Sequence, residues 1–366
     1  MTENIKQRVV VAMSGGVDSS VAAAILLEKG YDVIGLSMQL YDHGDSGEKR
    51  FDSCCSITDL HDARKVAHKL GFPHYIINYE QEFRDGVIDY FAEEYSKGRT
   101  PNPCVMCNGR LKFDHLLVKA KSLGADWVAT GHFAKVVHYQ DGRPSELYRG
   151  YDLTKDQSYF LFSVRKDFLK QALFPLADLS KSEVRAYAKK LGLHTSEKKE
   201  SQEICFVTSK RYTDFLEREY PHKAVGAGNI VDRDGKVLGQ HQGIYRYTVG
   251  QRKGLGIRTE TPKYVYKIDA EKNEVVVDDL AALATESLRI SMMNWLAAPE
   301  DILDMDLHLV SRYHGKPIAA EVTPEASGSC IVRLIQPAKW VSPGQAAVLY
   351  AGDRVVGGGF IDSAIH

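Results

Sequence analysis

Residues 9–12 form a short apolar run, VVVA; the polar segment SGGVDSS follows at 14–20, and residues 21–27 return to apolar character with three alanines among them. This succession predicts a strand, a glycine turn and the start of a helix. The alternation continues along the first half. Residues 32–38 and 74–78 carry strand patterns, 58–70 a helical one closed by Gly71, 82–97 a long amphipathic helix, 110–123 a helix capped by Gly124, and 126–130 a strand ending at Gly131 and His132. Strands alternating with helices predict an α/β fold, a parallel sheet covered by helices, with ligands at the carboxyl ends of its strands. Residues 180–193, SKSEVRAYAKKLGL, open with a Ser-x-x-Glu capping box and place Val184, Tyr187 and Leu191 on one face, with Lys181, Arg185, Lys189 and Lys190 facing outward. The last third changes period. A hairpin at 264–278 and short alternating strands at 306–310, 318–322, 330–334, 346–350 and 354–361 predict a small β-barrel. Shifts near 208 and 285 divide the chain into a parallel-sheet domain over 1–208, a small central domain over 209–285 and a barrel over 286–366.

Composition narrows the class. At 366 residues, 44% hydrophobic and 26% charged, the chain supports two or three folded domains. A formal net charge of −1 excludes a general affinity for polyanions, so any nucleic-acid surface must be a local patch. The opening apolar run is too short for a signal peptide or a membrane span, and a cytosolic protein with no membrane contact is expected. Six cysteines in such a chain point to chemistry or metal rather than to a disulfide framework.

The turn at 14–20 is where an anion fits. Glycines let the backbone expose its N–H groups, and the helix start adds unpaired donors and a positive dipole end. No Gly-Lys-Ser/Thr follows as in a Walker loop, and no third glycine precedes the helix as in a dinucleotide fingerprint. An ordinary βα turn is the plain alternative. SGGVDSS resembles the loop of the ATP pyrophosphatase (PP-loop) family, enzymes that cleave ATP between its α and β phosphates and leave AMP on a substrate oxygen. Two further segments interrupt the alternation. Residues 42–53 are polar and read as a surface loop; residues 98–109, GRTPNPCVMCNG, read as a loop stiffened by two prolines that holds Cys104 and Cys107 in a C-x-x-C. Half a zinc site, for which no second C-x-x-C or H-x-x-x-H follows, a redox pair, which the Pro-Asn-Pro context fits poorly, and inert core thiols are the ordinary explanations of that spacing, and Cys205, in ESQEICF, alone reads as a core thiol.

Taken together, SGGVDSS, RTPNPCVMCN, ATGHFAK (129–135), KDQSYFLF (155–162), ICF (204–206), HQGIYRYTVGQRKGLGI (241–257), SRYHGKP (311–317) and VSPGQAAVLY (341–350) resemble the tRNA-specific 2-thiouridylases over nearly the whole chain. The resemblance implies ATP-dependent 2-thiolation of a wobble uridine in tRNA. It makes Cys107 the nucleophile and Cys205 the persulfide carrier, with a disulfide between them in the cycle. It sets ATP, with Mg2+, against Ala12, Met13, Ser14, Gly15, Gly16, Val17, Asp18, Ser19, Met38 and Gly131, Asp18 being counted with the catalytic residues. It brings the target base to Asn102, Pro103 and Cys104, and tRNA to His132, Asp156, Gln157, Ser158, Arg312, Tyr313 and Gln345. A monomer served by a sulfur-donor protein is expected. The chemistry wants these parts: C2 of uracil is a weak electrophile with a poor leaving group, AMP on its oxygen makes a good one, and a persulfide supplies a strong sulfur nucleophile.

The chain departs from some members of the family. Cys104 stands where several carry Asp, which leaves open an iron–sulfur cluster on Cys104, Cys107 and Cys205. Gln202 and Glu203 replace smaller residues and receive no role. Cys54 and Cys55 read as structural thiols, and Cys330, in an alternating strand, as core. Lys198, Lys199 and the basic segment 246–258 are the candidates for tRNA phosphate contacts. Two other readings remain: a small-molecule ligase such as an NAD or GMP synthetase, and a cysteine-based metal or redox module.

Overall fold

The computed structural model describes residues 6–41, 57–199, 204–207, 209, 211–224, 226–298, 300–325 and 328–365. The expectations for the 42–53 loop, Cys54, Cys55, Gln202 and Glu203 lie outside the described residues. The chain forms two compact units, one of 1–87 with 104–208 and 353–355, the other of 88–103 with 209–352 and 356–366.

The first unit is built on a parallel five-stranded sheet. Its strands are β1 (Arg8–Ala12), β2 (Asp32–Gln39), β3 (His74–Asn78), β4 (Trp127–Ala129) and β5 (Ala172–Leu173), in the order β3-β2-β1-β4-β5. Val9, Val10 and Val11 are fully buried, as a central strand covered on both faces requires. Helices α1 (Val17–Glu28), α2 (Ile57–Leu70), α3 (Asp114–Ser122) and α4 (Lys181–Lys190) accompany it. The run of small apolar residues Val21, Ala22 and Ala23 lets α1 lie close to the sheet, in a core that also holds Val66, Val184 and Ala188. Gly71 closes α2 and Gly124 closes α3, each with positive φ, 80° and 66°. An antiparallel hairpin that the sequence reading missed, Ala134–Val137 with Glu146–Arg149, adds to this unit.

Helix α4 begins as its capping box dictates. The Glu183 N–H donates to Ser180 Oγ at 3.3 Å and the Ser180 N–H donates to Glu183 Oε2 at 2.7 Å. Ser180→Ala is expected to lower stability by about 0.5–2 kcal/mol in chemical denaturation. Because Lys181 is the first residue of this helix, the cap also fixes where that lysine starts.

In the second unit, Thr285–Trp295, Cys330–Ala338, Ile318–Pro324, Leu307–Val310, Ala346–Ala351 and Arg354–Ile365 follow one another around a barrel, which the pairing of the first with the last closes. Five of these strands answer the sequence expectation, and the pairing of the first strand with the last closes the barrel. Leu288, Ile290, Leu309, Val332, Leu349 and Ile361 fill the interior with Cys330, whose thiol burial pushes up to about 12. A separate four-stranded sheet contains the expected hairpin, Tyr264–Asp269 with Glu274–Asp278, and joins it to Gly228–Val231 and Val237–His241.

Candidate active site

The order β3-β2-β1-β4-β5 reverses direction at β1, because the chain steps outward to β2 and β3 and then returns to the other side of β1 as β4. Parallel sheets bind ligands in the crevice beyond the strand ends at this switch point. The loop 13–16 leaves β1 there, and Gly131 and His132 follow β4 there.

The loop is tightly specified. The Met13 N–H donates to the Leu36 carbonyl at 2.8 Å, and the Ser14 N–H donates to Ser19 Oγ at 3.2 Å. Ser20 Oγ donates to the Gly16 carbonyl at 2.7 Å. Gly15 has φ of 72°, and a Cβ there would stand 2.1 Å from the Asp59 carbonyl oxygen. Gly131 has ordinary φ but no spare room: a Cβ would fall 2.6 Å from both the Asp18 carbonyl carbon and the Ser19 nitrogen. Glycine is therefore required at both places, one for conformation and packing together, one for the approach of the β4 loop to the start of α1. Ser14 is exposed, Asp18 half-buried, and Met38 buried within β2.

Lys181 corrects an expectation. Rather than facing outward it is buried, and its Nζ donates to both carboxylate oxygens of Asp18 at 2.8 Å. The pair ties the first turn of α4 to the first turn of α1. Arg185 also turns inward and donates to the carbonyls of Ser196 and Lys198, at 2.8 and 3.1 Å. Lys198 donates to the Gly15 carbonyl at 3.1 Å, to Asp62 at 2.7 Å and to Asp59. Burial pushes the Asp62 carboxyl upward, but the hydrogen bonds and charges of Lys198 and His194 hold it below the usual range. Two carboxylates thus engage the Lys198 charge, which removes it from the phosphate-contact candidates. Lys189, Lys190 and Lys199 remain exposed; Arg246 is paired with Glu217, while Arg252, Lys253 and Arg258 are exposed.

The thiols stand on two segments of the first unit. The stiff loop expected at 98–109 becomes helical at Pro103: Pro103–Met106 is an α-helix and Cys107–Phe113 continues it as a π-helix before α3. Cys104 is exposed, Cys107 buried and Cys205 half-buried. Cys205 lies in a turn closed by the Val207 N–H on the Ile204 carbonyl at 3.1 Å, and Phe206 anchors it edge-on against Phe83 with ring centroids 5.7 Å apart. Beside Cys107, the buried Asn108 keeps Oδ1 without a hydrogen-bond partner among the described residues. The three cysteines do not converge as metal ligands, and among the described residues no group of three or more His, Cys, Asp or Glu side chains does. They do not fit a cluster.

Other implied tRNA contacts differ in exposure. His132 is half-buried, its Nδ1 2.7 Å from Thr130 Oγ1, and burial together with the Lys112 charge lowers its pKa to about 3. Asp156 and Ser158 are buried: Asp156 accepts from the N–H groups of Gly150 and Ser158 at 3.2 and 3.1 Å, and from Ser158 Oγ at 2.9 Å. Gln157 Oε1 accepts from the Phe133 N–H at 2.9 Å. These side chains hold the turn after the hairpin. Within the second unit, Arg312 is exposed and Tyr313 half-buried, whereas Gln345 Nε2 donates to the Thr100 carbonyl at 2.9 Å. The Thr100 N–H donates to the Pro343 carbonyl at 2.8 Å, and Arg99 binds Glu94 and Asp362 at 2.7 and 3.2 Å. Residues 99–101, which lead to Asn102 and Pro103, are thereby braced from both sides.

Comparison with known proteins accounts for the whole chain. The family profiles described as "tRNA methyl transferase HUP domain", "tRNA methyl transferase PRC-barrel domain" and "Aminomethyltransferase beta-barrel domain" match residues 7–209, 213–279 and 285–361. A protein of Geotalea uraniireducens (strain Rf4) called tRNA-specific 2-thiouridylase MnmA is 51% identical over 368 residues, covering 99% of this chain and 97% of its own. Relatives of the same name from Geobacter metallireducens and Magnetococcus marinus are 50% and 48% identical, covering 100% and 97% of this chain and 99% of their own lengths. The profile names mention methyl transfer, whereas the full-length relatives agree on thiolation. With a phosphate-type loop at the switch point and thiols on two segments of the same unit, the chain belongs to the family of tRNA-specific 2-thiouridylases.

Proposed function

We infer that the protein adenylates O2 of the wobble uridine in tRNA and then replaces that oxygen by sulfur from a persulfide on Cys205. The uridine oxygen attacks the α-phosphorus of ATP and pyrophosphate leaves. The terminal persulfide sulfur then attacks C2, AMP departs with the original oxygen, and Cys107 attacks the Cys205 sulfur, so that a Cys107–Cys205 disulfide forms and 2-thiouridine is released. An external thiol reductant restores the dithiol and a persulfide-donor protein reloads Cys205. The enzyme acts as a cytosolic monomer divided at 1–208, 209–285 and 286–366.

The observation that carries this reading is the loop at the β1 end, where helix-start N–H groups and a fixed glycine turn suit a departing pyrophosphate. Ala12 to Ser19, Met38 and Gly131 are the ATP contacts. Mg2+ would reach the loop on the phosphates, with Asp18 as the nearby carboxylate, and would neutralise phosphate charge. Asn102, Pro103 and Cys104 receive the base; His132, Arg312, Tyr313, Gln345 and the turn carrying Asp156, Gln157 and Ser158 meet tRNA. Incubation with unmodified tRNA, ATP, a persulfide donor and a thiol reductant, followed by nucleoside analysis, is expected to yield 2-thiouridine only when ATP is present. Thiolation without ATP, or none at all, refutes the reading.

A further inference from the structure

Lys198 is absorbed neither by the ATP loop as the sequence defines it nor by the thiol chemistry, yet it joins three elements. Its Nζ reaches the Gly15 carbonyl at 3.1 Å, Asp62 on α2 at 2.7 Å and Asp59 one helical turn earlier. His194 adds to the cluster through Asp62 at 3.0 Å. Gly15 itself lies directly on the first turn of α2, with no room for a Cβ beside the Asp59 carbonyl. The lysine is three-quarters buried, the two aspartates more so, with side chains 25%, 9% and 13% exposed.

A lysine held this way orients a peptide plane. In a trans peptide the carbonyl of one residue and the N–H of the next point in opposite directions. Holding the Gly15 carbonyl towards Lys198 therefore turns the Gly16 N–H to the opposite side of the chain. Glycine makes this orientation necessary to enforce, because a Gly-Gly peptide flips more readily than any other. Asp59 and Asp62 set the reach of the lysine and cancel its charge, so Nζ acts on the loop as an aimed donor and not as a second cation competing for the nucleotide.

We propose that Lys198 is a positioning residue for the ATP loop, fixing the Gly15–Gly16 peptide so that its N–H serves the pyrophosphate part of ATP. This rests on the reading of the loop as the ATP site. Its effect is confined to the β and γ phosphates, which separates it from general support of the fold.

The test is calorimetric titration of the full-length protein with ATP and, separately, AMP, for wild type, Lys198→Met and Lys198→Arg. Lys198→Met is expected to weaken ATP binding about tenfold, the equivalent of losing one hydrogen bond to a charged group, with AMP binding unchanged within about twofold. Lys198→Arg, which keeps a cationic donor, is expected to recover most of the loss. Equal weakening of ATP and AMP, or unchanged ATP binding, overturns the proposal. If stranded Asp59 and Asp62 charges unfold the single variant, the double variant Asp62→Asn/Lys198→Met removes one of them and is read by the same ratio. Wild-type protein that binds neither nucleotide would refute the ATP site itself, an outcome separate from a normal wild type with an unaffected variant.

Discussion

Cys205→Ser and Cys107→Ser are each expected to reduce 2-thiouridine formation, measured in a single turnover without added reductant, by at least about 1000-fold, while tRNA-dependent release of pyrophosphate persists for that turnover. Serine preserves size but forms neither a persulfide nor a disulfide, so the cycle stops at the loading or at the release of the sulfur while activation of the uridine oxygen is left intact. The two variants then differ in product. With Cys107→Ser the sulfur is transferred but the tRNA stays bound to Cys205 through C2–S–S, a covalent adduct that a reductant releases. With Cys205→Ser no adduct forms. Controls come from the same residue type elsewhere: Cys330 sits wholly in the barrel interior, so Cys330→Ser is expected to cost about 1–3 kcal/mol of stability by burying a hydroxyl, with thiolation retained. Cys104 is exposed, and Cys104→Ala is expected to keep activity within about tenfold, since a persulfide relay needs two thiols and a cluster would need all three. Full activity of Cys205→Ser, or loss in Cys104→Ala equal to that in Cys107→Ser, would remove the relay. Nucleoside mass spectrometry and non-reducing gels read every arm.

The parts of the fold that the sequence made legible are those in which local pattern and global environment agree. The β-branched run before SGGVDSS had to be a central strand, and the Ser180–Glu183 box had to start a helix. Where the reading failed, a signal was often present. Pro103 was read as stiffening a loop, but proline is also well placed at the first residue of a helix, and that is where the helix of Cys107 begins. Asp141-Gly142 between AKVV and ELYR marks the missed hairpin. Lys181 lies three residues before Val184 and so shares its buried face; its polarity argued for solvent, and only Asp18, from a distant segment, makes its burial tolerable.

Other features had no local signal. Lys198 takes its partners from α2 and from the loop after β1, segments more than a hundred residues away, and nothing in KK at 198–199 distinguishes the engaged lysine from the exposed one. The π-helical stretch that starts at Cys107 is likewise set by packing, with Phe113 buried against Phe168 and Gly109 fitted against Ser163, where a Cβ would come within 2.4 Å of the hydroxyl. Such wide turns favour functional positions because they re-aim one side chain without ending the helix. Sequence thus proposes the chemistry-bearing residue types, while the residues that pack around them were visible only once the strands had been ordered.

The adjacent glycines of SGGVDSS give the sharpest test of that distinction. Gly15→Ala places a methyl group where the Asp59 carbonyl already stands, at 2.1 Å, and asks a non-glycine residue to hold φ of 72°. Backbone strain and overpacking each cost about 1–3 kcal/mol, and the displaced loop would also lose its bond to Lys198, so a loss of several kcal/mol and of ATP binding together is expected. Gly16 differs in both respects: its φ is −90°, and an added Cβ meets only Ser14 Oγ at 3.5 Å, an ordinary contact. Gly16→Ala is therefore expected to change stability by about 1 kcal/mol or less, the scale of exchanging one N-cap residue for another. Thermal unfolding with and without ATP separates the two, because the ligand raises the midpoint only of a protein that still binds it. Gly15→Ala should unfold early and show no ATP-induced rise, whereas Gly16→Ala should track the wild type in both. Equal behaviour of the two variants would mean that the loop does not rest on α2 as these contacts require, and the route from glycine turn to phosphate site would have to be drawn again from the Asp18–Lys181 side.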